Sequence, residues 1–466
     1  MACKVSLTLE TGPGTRYLGG IMSNNIETLI SQLLDAARAA GADGADAGMS
    51  RSEGTSVTVR LGKLESAERS EDVGAALRVF VGKRNASVST SQLDKDSITE
   101  LAERAVAMAK VAPEDPYVRL ATSDEVASDL PEIDLYDPAI PAVEALTHTA
   151  TTVEAAALDN AGITNSEGGS ASHGEAHMMI ATSNGFSANY KRSSQGFSAV
   201  VIAEKDGAME RDYDYSAAVY GVDLDTPEAI GKSAAARTLS RLGPQKPPTG
   251  QFPVIYDQRV SGSIVGTLAG AINGASIARG TSFLKDSMGE QVTSSGLAFI
   301  DDPLRPRGMA SRLFDGEGLP VQKRAMVEDG VLKSWFLDIA SAAKLGLTPN
   351  GQAARGMGSA PAPGSSNFYL ENGDISLDDL IADIDEGFLV TEMMGSSVDM
   401  ITGDYSRGAA GFWISGGKVG HPVSEATIAG NLKDMFKAIT RANDIDMRKS
   451  TAAPSLRIDG MMVAGS

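Results

Sequence analysis

Side chains able to do chemistry are scarce in this chain and fall in two places. Its histidines are His148, His173, His177 and His421, and its one cysteine is Cys3. Within His173-Gly174-Glu175-Ala176-His177 the imidazoles stand four residues apart, a spacing that faces both one way on a helix. The order differs from the zinc-protease helix, in which Glu follows the first His directly. The flanks, Ser-Ala-Ser and Met-Met-Ile-Ala-Thr, read instead as a strand. There 173, 175 and 177 share a face at ~7 Å per two residues. Such a ladder is either a weak metal site, making the chain a self-sufficient hydrolase, or a solvated polar strand face.

The second place is Thr402-Gly403-Asp404-Tyr405-Ser406-Arg407, followed by Gly408, Ala409, Ala410, Gly411, Phe412 and Trp413. Small residues, two charges and three aromatics are crowded beyond what plain secondary structure expects, so a tight turn is anticipated. Asp404 and Arg407 either pair with each other or bind a peptide backbone or carboxylate. Nucleophilic chemistry has less support, since no G-x-S-x-G elbow occurs. The glycines at 262–266 and 270–274 lack the Lys of a phosphate loop.

The elements that must position these residues follow from periodicity. Ile26, Leu29, Ile30, Leu33, Leu34 and Ala37 form a helical stripe, with capping oxygens in Ser23 to Asn25. From about 45 to 91 the period becomes two, which predicts an antiparallel meander. Helices are predicted at about 97–110, from Pro141, and from Thr226-Pro227 to a stop at Gly243. Strands fill 163–218, and Asn184-Gly185 is a hairpin signal. A strand at 252–256, a Gly/Ala-rich helix at about 260–273, a glycine-punctuated β-rich region and a late helix at about 428–439 complete the reading. Helices and strands in blocks predict α+β. The Pro-rich stretch 243–250 is the expected linker between an N-terminal domain (22–243) and a C-terminal one (251–466). Residues 1–21 read as a disordered extension, with Met22 the expected start.

Forty-one basic and 60 acidic residues give a net charge of −19. That surface repels phosphate backbones and anionic membranes, so neither nucleic acid nor membrane is an expected partner. No apolar run approaches a membrane span, and one cysteine suits a reducing, cytoplasmic setting.

The run Met400–Trp413 with Pro422–Met435 resembles the C-terminal signature of the TldD/PmbA family, in its TldE (PmbA) branch. Phe314–Pro320, Val327–Leu332, Lys344–Gly346 and Arg279–Leu284 match in the same order. The resemblance implies an N-terminal α/β domain and a β-rich, barrel-like C-terminal domain. It further implies a heteromeric complex in which a TldD-like subunit carries zinc and cuts unfolded peptides, including a peptide leader and antitoxins. The catalytic branch has H-E-x-x-x-H on the helix before Arg279-Gly280-Thr281-Ser282, and those positions fall here on Val265, Gly266 and Gly270. Its further cysteine ligand has no counterpart after Cys3. The implied role is a non-catalytic subunit with no cofactor of its own, zinc being held by the partner. Residues 402–407 then face the partner, and the glycine row 262, 266, 270 and 274 lets another segment approach closely. A homodimer of the isolated chain and a peptidase-independent, gyrase-modulator type of interaction protein are the remaining expectations.

Overall fold

The computed structural model describes residues 26–356 and 359–465. The expectations for residues 1–21, for Met22 and for the Ser23–Asn25 caps lie outside them.

Among the described residues, the first half is one long-stranded antiparallel sheet with four α-helices. Helix α1 (Ile26–Ala39) buries the whole stripe read from the sequence. Strands β1 (Gly44–Arg60), β2 (Lys63–Val81) and β3 (Arg84–Thr90) form the meander, and α2 (Lys95–Val111) starts behind the Asp94 side-chain cap. Helix α3 spans Val143–Leu158 with Ala142 at its cap, so Pro141 precedes the helix instead of opening it. Then come β4 (Ile163–Thr182), β5 (Ser187–Lys205), β6 (Ala208–Ala218) and α4 (Pro227–Ser240), whose cap is Thr226. The Asn184-Gly185 hairpin forms as read, with Gly185 at φ 105°. Sheet order is β3-β2-β1-β4-β5-β6, curled into a half-barrel.

Alternation explains how one face serves two cores. On β1, Ala45, Ala47 and Met49 pack under α1 and α2, while Val57 and Val59 pack under α3 and α4. Arg51, Glu53 and Thr55 share that parity and fall between the helix pairs, making a polar gap on the same face.

The second half is built around α5 (Gln258–Ala271). It follows β7 (Gly250–Tyr256), is capped by Asp257, and stops two residues short of the expected end. Asn273 accepts the amides of Ala275 and Ser276 and starts a separate short helix, α6 (Gly274–Ala278). Next come β8 (Phe299–Asp301), β9 (Arg324–Glu328), β10 (Val331–Leu332), α7 (Ile339–Leu345), β11 (Ala353–Ala354), β12 (Ala362–Pro363), β13 (Phe368–Leu370) and α8 (Leu377–Ala382). The last elements are β14 (Glu386–Val398), β15 (Asp404–Ser415), β16 (Lys418–Asn431), α9 (Leu432–Lys437), β17 (Ile439–Arg441), β18 (Thr451–Ala452) and β19 (Leu456–Gly465).

Strands β16-β15-β14-β7-β19 close into a five-stranded barrel, because β19 also pairs with β16. A smaller sheet runs β10-β9-β8-β13-β18. Helix α5 lies between them, touching β7 and β14 on one side and β13 and β18 on the other. Ile264, Val265, Leu268 and Ala271 point from it into the largest apolar core. The fold is therefore α+β with a barrel in its C-terminal part, as the sequence implies. The late helix is a correction. Ile428 is a strand residue paired with Arg407 and Val463, and only Leu432–Lys437 is helical. Barrel closure claims the backbone up to Asn431, whose side chain caps what remains.

Candidate functional site

The crowded run around Asp404 divides into a turn and a strand. Asp399 folds the turn: its carboxylate accepts the amides of Ile401 and Thr402 at 2.8 and 3.1 Å. Its carbonyl accepts the Gly403 amide at 2.8 Å, and Gly403 sits at φ 90°, which glycine adopts without strain. From Asp404 onward the chain is strand β15, contrary to the expectation of crowding, with register shifts against β16 at Ala409/Gly411 and Phe412/Ile414. Gly411 makes this possible, since a Cβ there would lie 1.9 Å from the Leu389 carbonyl oxygen of β14.

Asp404 and Arg407 do not pair. Asp404 accepts the Thr402 hydroxyl at 2.8 Å and the Asn431 amide at 3.1 Å, and these bonds, Thr402 first, hold its pKa low. Arg407, three residues along the strand and so on its other face, donates to the Gly395 carbonyl at 2.9 Å. Ser406 is half-buried between them. Tyr405 is buried with its hydroxyl 3.4 Å from that of Tyr256, and burial raises both phenols.

The three α5 positions separate in the same way. Val265 is fully buried in the core. Gly266 and Gly270 are exposed on the opposite side of the helix. The nearest neighbours of a Cβ there would be Thr451 Cγ2 at 3.9 Å and Met400 Cε at 3.3 Å. The glycine row is close-packed only at its ends, where a Cβ on Gly262 or Gly274 would meet the Thr451 or Phe336 carbonyl oxygen at 2.7 and 2.5 Å. Its middle is an open floor between the Met400 turn and β18. The donor chemistry of a zinc site does not fit here: one position is an apolar core side chain and two have no side chain.

Beside this floor lie two adjoining cavities of about 610 and 400 Å³, both lined by Gln258, Arg259, Lys449 and Thr451. The larger reaches Asp214, Asp225, Asp446 and Arg448 under β6 and α4; the smaller takes in Tyr213, Gly262, Glu392, Met393 and Arg407. Arg407 thus shares one cavity with Gly262 and Ser263 in the first part of α5, while Thr402 and Asp404 stay on the turn beside Asn431. Arg259 bonds Asp212 at 2.8 Å and stacks on Tyr213, 4.1 Å from the ring centroid. Lys449 donates to the Gln258 carbonyl at 3.1 Å. Its pKa is lowered by burial, with the nearby carboxylate of Asp446 opposing. Nothing local in the sequence marks Lys449 or Arg259, which come from segments 190 positions apart.

The His173 ladder shares a strand face, as read, and lies in the polar gap between the helix pairs. Its members are separately engaged. Glu175 accepts the Tyr136 hydroxyl at 2.9 Å and His177 bonds Asn189 at 3.0 Å. His173 is buried, which lowers its pKa. Among the described residues no three His, Cys, Asp or Glu side chains gather as metal donors.

A buried charge cluster escaped the sequence reading. Asp46 holds Arg78 and Arg355, each at 2.6 Å, and Arg78 lies 3.6 Å from Glu317. Asp315 accepts the amides of Glu317, Leu319 and Ala353, which gives the Phe314–Pro320 motif a structural reason.

Family models described as PmbA/TldA metallopeptidase domain 1, central domain and C-terminal domain match residues 45–109, 136–242 and 249–465. Metalloprotease PmbA of Escherichia coli O157:H7 is 37% identical over 442 residues, 94% of this chain and 96% of that protein. The PmbA homolog of Haemophilus influenzae is 34% identical over 440 residues, covering 94% and 95%. The TldD homolog of the same organism is 26% identical over 292 residues, covering 57% and 61%. Among solved structures, a Bacteroides thetaiotaomicron protein described as a modulator of DNA gyrase superposes with a TM-score of 0.87 at 28% identity, covering 95% of this chain and all of that one. Motif order, barrel and full-length similarity agree: this chain belongs to the PmbA/TldD metallopeptidase family, on its PmbA branch.

Proposed function

We propose that this chain is the non-catalytic subunit of a two-component peptidase acting on unfolded peptides in the cytoplasm. The zinc and the proton-moving glutamate reside in a TldD-type partner. The observation that carries this reading is the state of Val265, Gly266 and Gly270: one buried apolar side chain and two bare backbone positions where a metallopeptidase needs ligands and a base. The occurrence of PmbA-like and TldD-like relatives in one organism supports a TldD-type partner. Leader peptides and antitoxins are the client class the family resemblance suggests.

The chain's contribution is to bind substrate and complete the chamber, with the face around Thr402–Arg407 turned to the partner. Binding of the peptide as a strand added to a sheet edge finds no support in the barrel or in β6. The barrel is closed, and on the edge strand β6 the outward amides of Tyr213 and Tyr215 are taken by the carboxylates of Asp212 and Asp214. The cleft itself is therefore the proposed seat of the peptide.

The test is cleavage of an unfolded peptide by this chain, by a TldD-type partner, and by both. Cleavage should require both, and Arg407→Ala or Asp404→Ala should reduce it at least tenfold while the isolated chain keeps its melting temperature. Cleavage by this chain alone with stoichiometric zinc would overturn the reading.

A further inference from the structure

The smaller cavity runs against the charge of the molecule. In a protein of net charge −19 it is lined by Arg259, Arg407 and Lys449 against one carboxylate, Glu392. That carboxylate is already bound to Arg241, and Arg259 to Asp212. Arg407 and Lys449 have only neutral oxygens as partners: the Gly395 carbonyl for one, the Gln258 carbonyl and side-chain oxygen for the other. Neither lies within ion-pairing distance of a carboxylate among the described residues, and Arg407 Nε is buried without a hydrogen-bond partner. Two half-buried cations thus share one cavity of about 400 Å³ without a carboxylate in contact, Asp446 and Asp257 acting on Lys449 only from beyond ion-pairing distance.

We infer that this cavity binds a single carboxylate of the peptide, gripped by Lys449 and Arg407. The inference rests on the peptide-binding reading above and gives that substrate a chemical mark. The two donors of one small cavity match a single carboxylate. The exposed Gly266–Gly270 stretch next to it lets an extended main chain approach the helix backbone, with the Thr451 and Met400 methyl groups as its nearest side-chain neighbours. The carboxylate is either the peptide's own C-terminus or an Asp or Glu side chain, both recognised through the same donors.

The experiment measures binding to the full chain by fluorescence anisotropy, using one unstructured peptide without acidic residues in three forms. These carry a free C-terminus, an amidated C-terminus, and an amidated C-terminus with one internal Glu. At least one carboxylate-bearing form should bind about tenfold or more tighter than the plain amide. The form that does so names the source. Lys449→Met and Arg407→Met should each remove the preference, Lys449→Arg should keep most of it, and Lys110→Met, an exposed charge elsewhere, should leave it intact. Raising salt should shrink the preference. If the three peptides bind equally, or the preference survives Lys449→Met and Arg407→Met together, the inference is wrong. The two-component reading then still stands or falls on the cleavage assay alone.

Discussion

Glu317 is a carboxylic acid that the fold keeps from ionising. It is 4% exposed, and its Oε2 accepts the Ile339 amide at 2.8 Å. Its nearest cation, Arg78, is 3.6 Å away and held closer by Asp46. Burial pushes its pKa up to about 8; the attraction of Arg78 opposes that rise, and the neighbouring charge of Asp315 adds to it. The folded value therefore exceeds the unfolded one, near 4.5. Below that lower value both states hold the proton and nothing is lost. Between the two values the unfolded chain ionises first, so stability falls as pH rises, by at most roughly 1.4 kcal/mol per pH unit. Above the folded value the loss is complete. Glu317→Gln should melt above the parent at about pH 8.5 and match it near pH 4.5. A difference that stays constant with pH would remove Glu317 from this role. At this scale the sequence was a partial guide. Arg407 stood out in a dense motif, whereas Lys449 and Glu317 acquire their meaning only from distant neighbours.

The helix α5 shows how alike residues part company once an element is placed. Gly262 and Gly266 are the same residue one helical turn apart, yet only at Gly262 would an added Cβ meet a carbonyl oxygen, that of Thr451 at 2.7 Å. Gly262→Ala should cost about 1–3 kcal/mol because the β18 backbone has to move. Gly266→Ala should stabilise by roughly 0.4–1 kcal/mol by restricting the unfolded chain. Urea denaturation of the two variants compares them directly, and equal midpoints would refute the asymmetry. Local signals were legible where they act locally. The stripe from Ile26 to Ala37 and the Asn184-Gly185 turn fold as the spacing says. The late helix was misread because Ile428 and its neighbours are claimed by pairing with β15 and β19, a non-local demand that no helical spacing reveals.

Across the whole molecule, Asp46 joins the halves. Through Arg78 it stays within the N-terminal sheet, and through Arg355 it reaches the C-terminal region. All three side chains are nearly inaccessible, so removing the acid strands two buried guanidinium groups. Asp46→Asn should lower unfolding free energy by about 3–5 kcal/mol, measured in urea. A loss below about 1 kcal/mol would show that the network does not hold the halves together. Further links, Arg307 to Asp223 and Arg448 to Asp225, are more exposed and contribute less.

The pairing of β7 with β19 carries a consequence for biosynthesis. Val254 meets Ile458 across the barrel, two partners separated by some two hundred residues of intervening chain. The long N-terminal sheet can assemble while the ribosome is still at work, because its strands are mostly sequential neighbours. The barrel cannot shut until β19 has emerged, so one edge of β7 must wait unpaired while those two hundred or so residues are made. Slowing the last stage of synthesis should therefore expose this protein to chaperones through its second half and not its first.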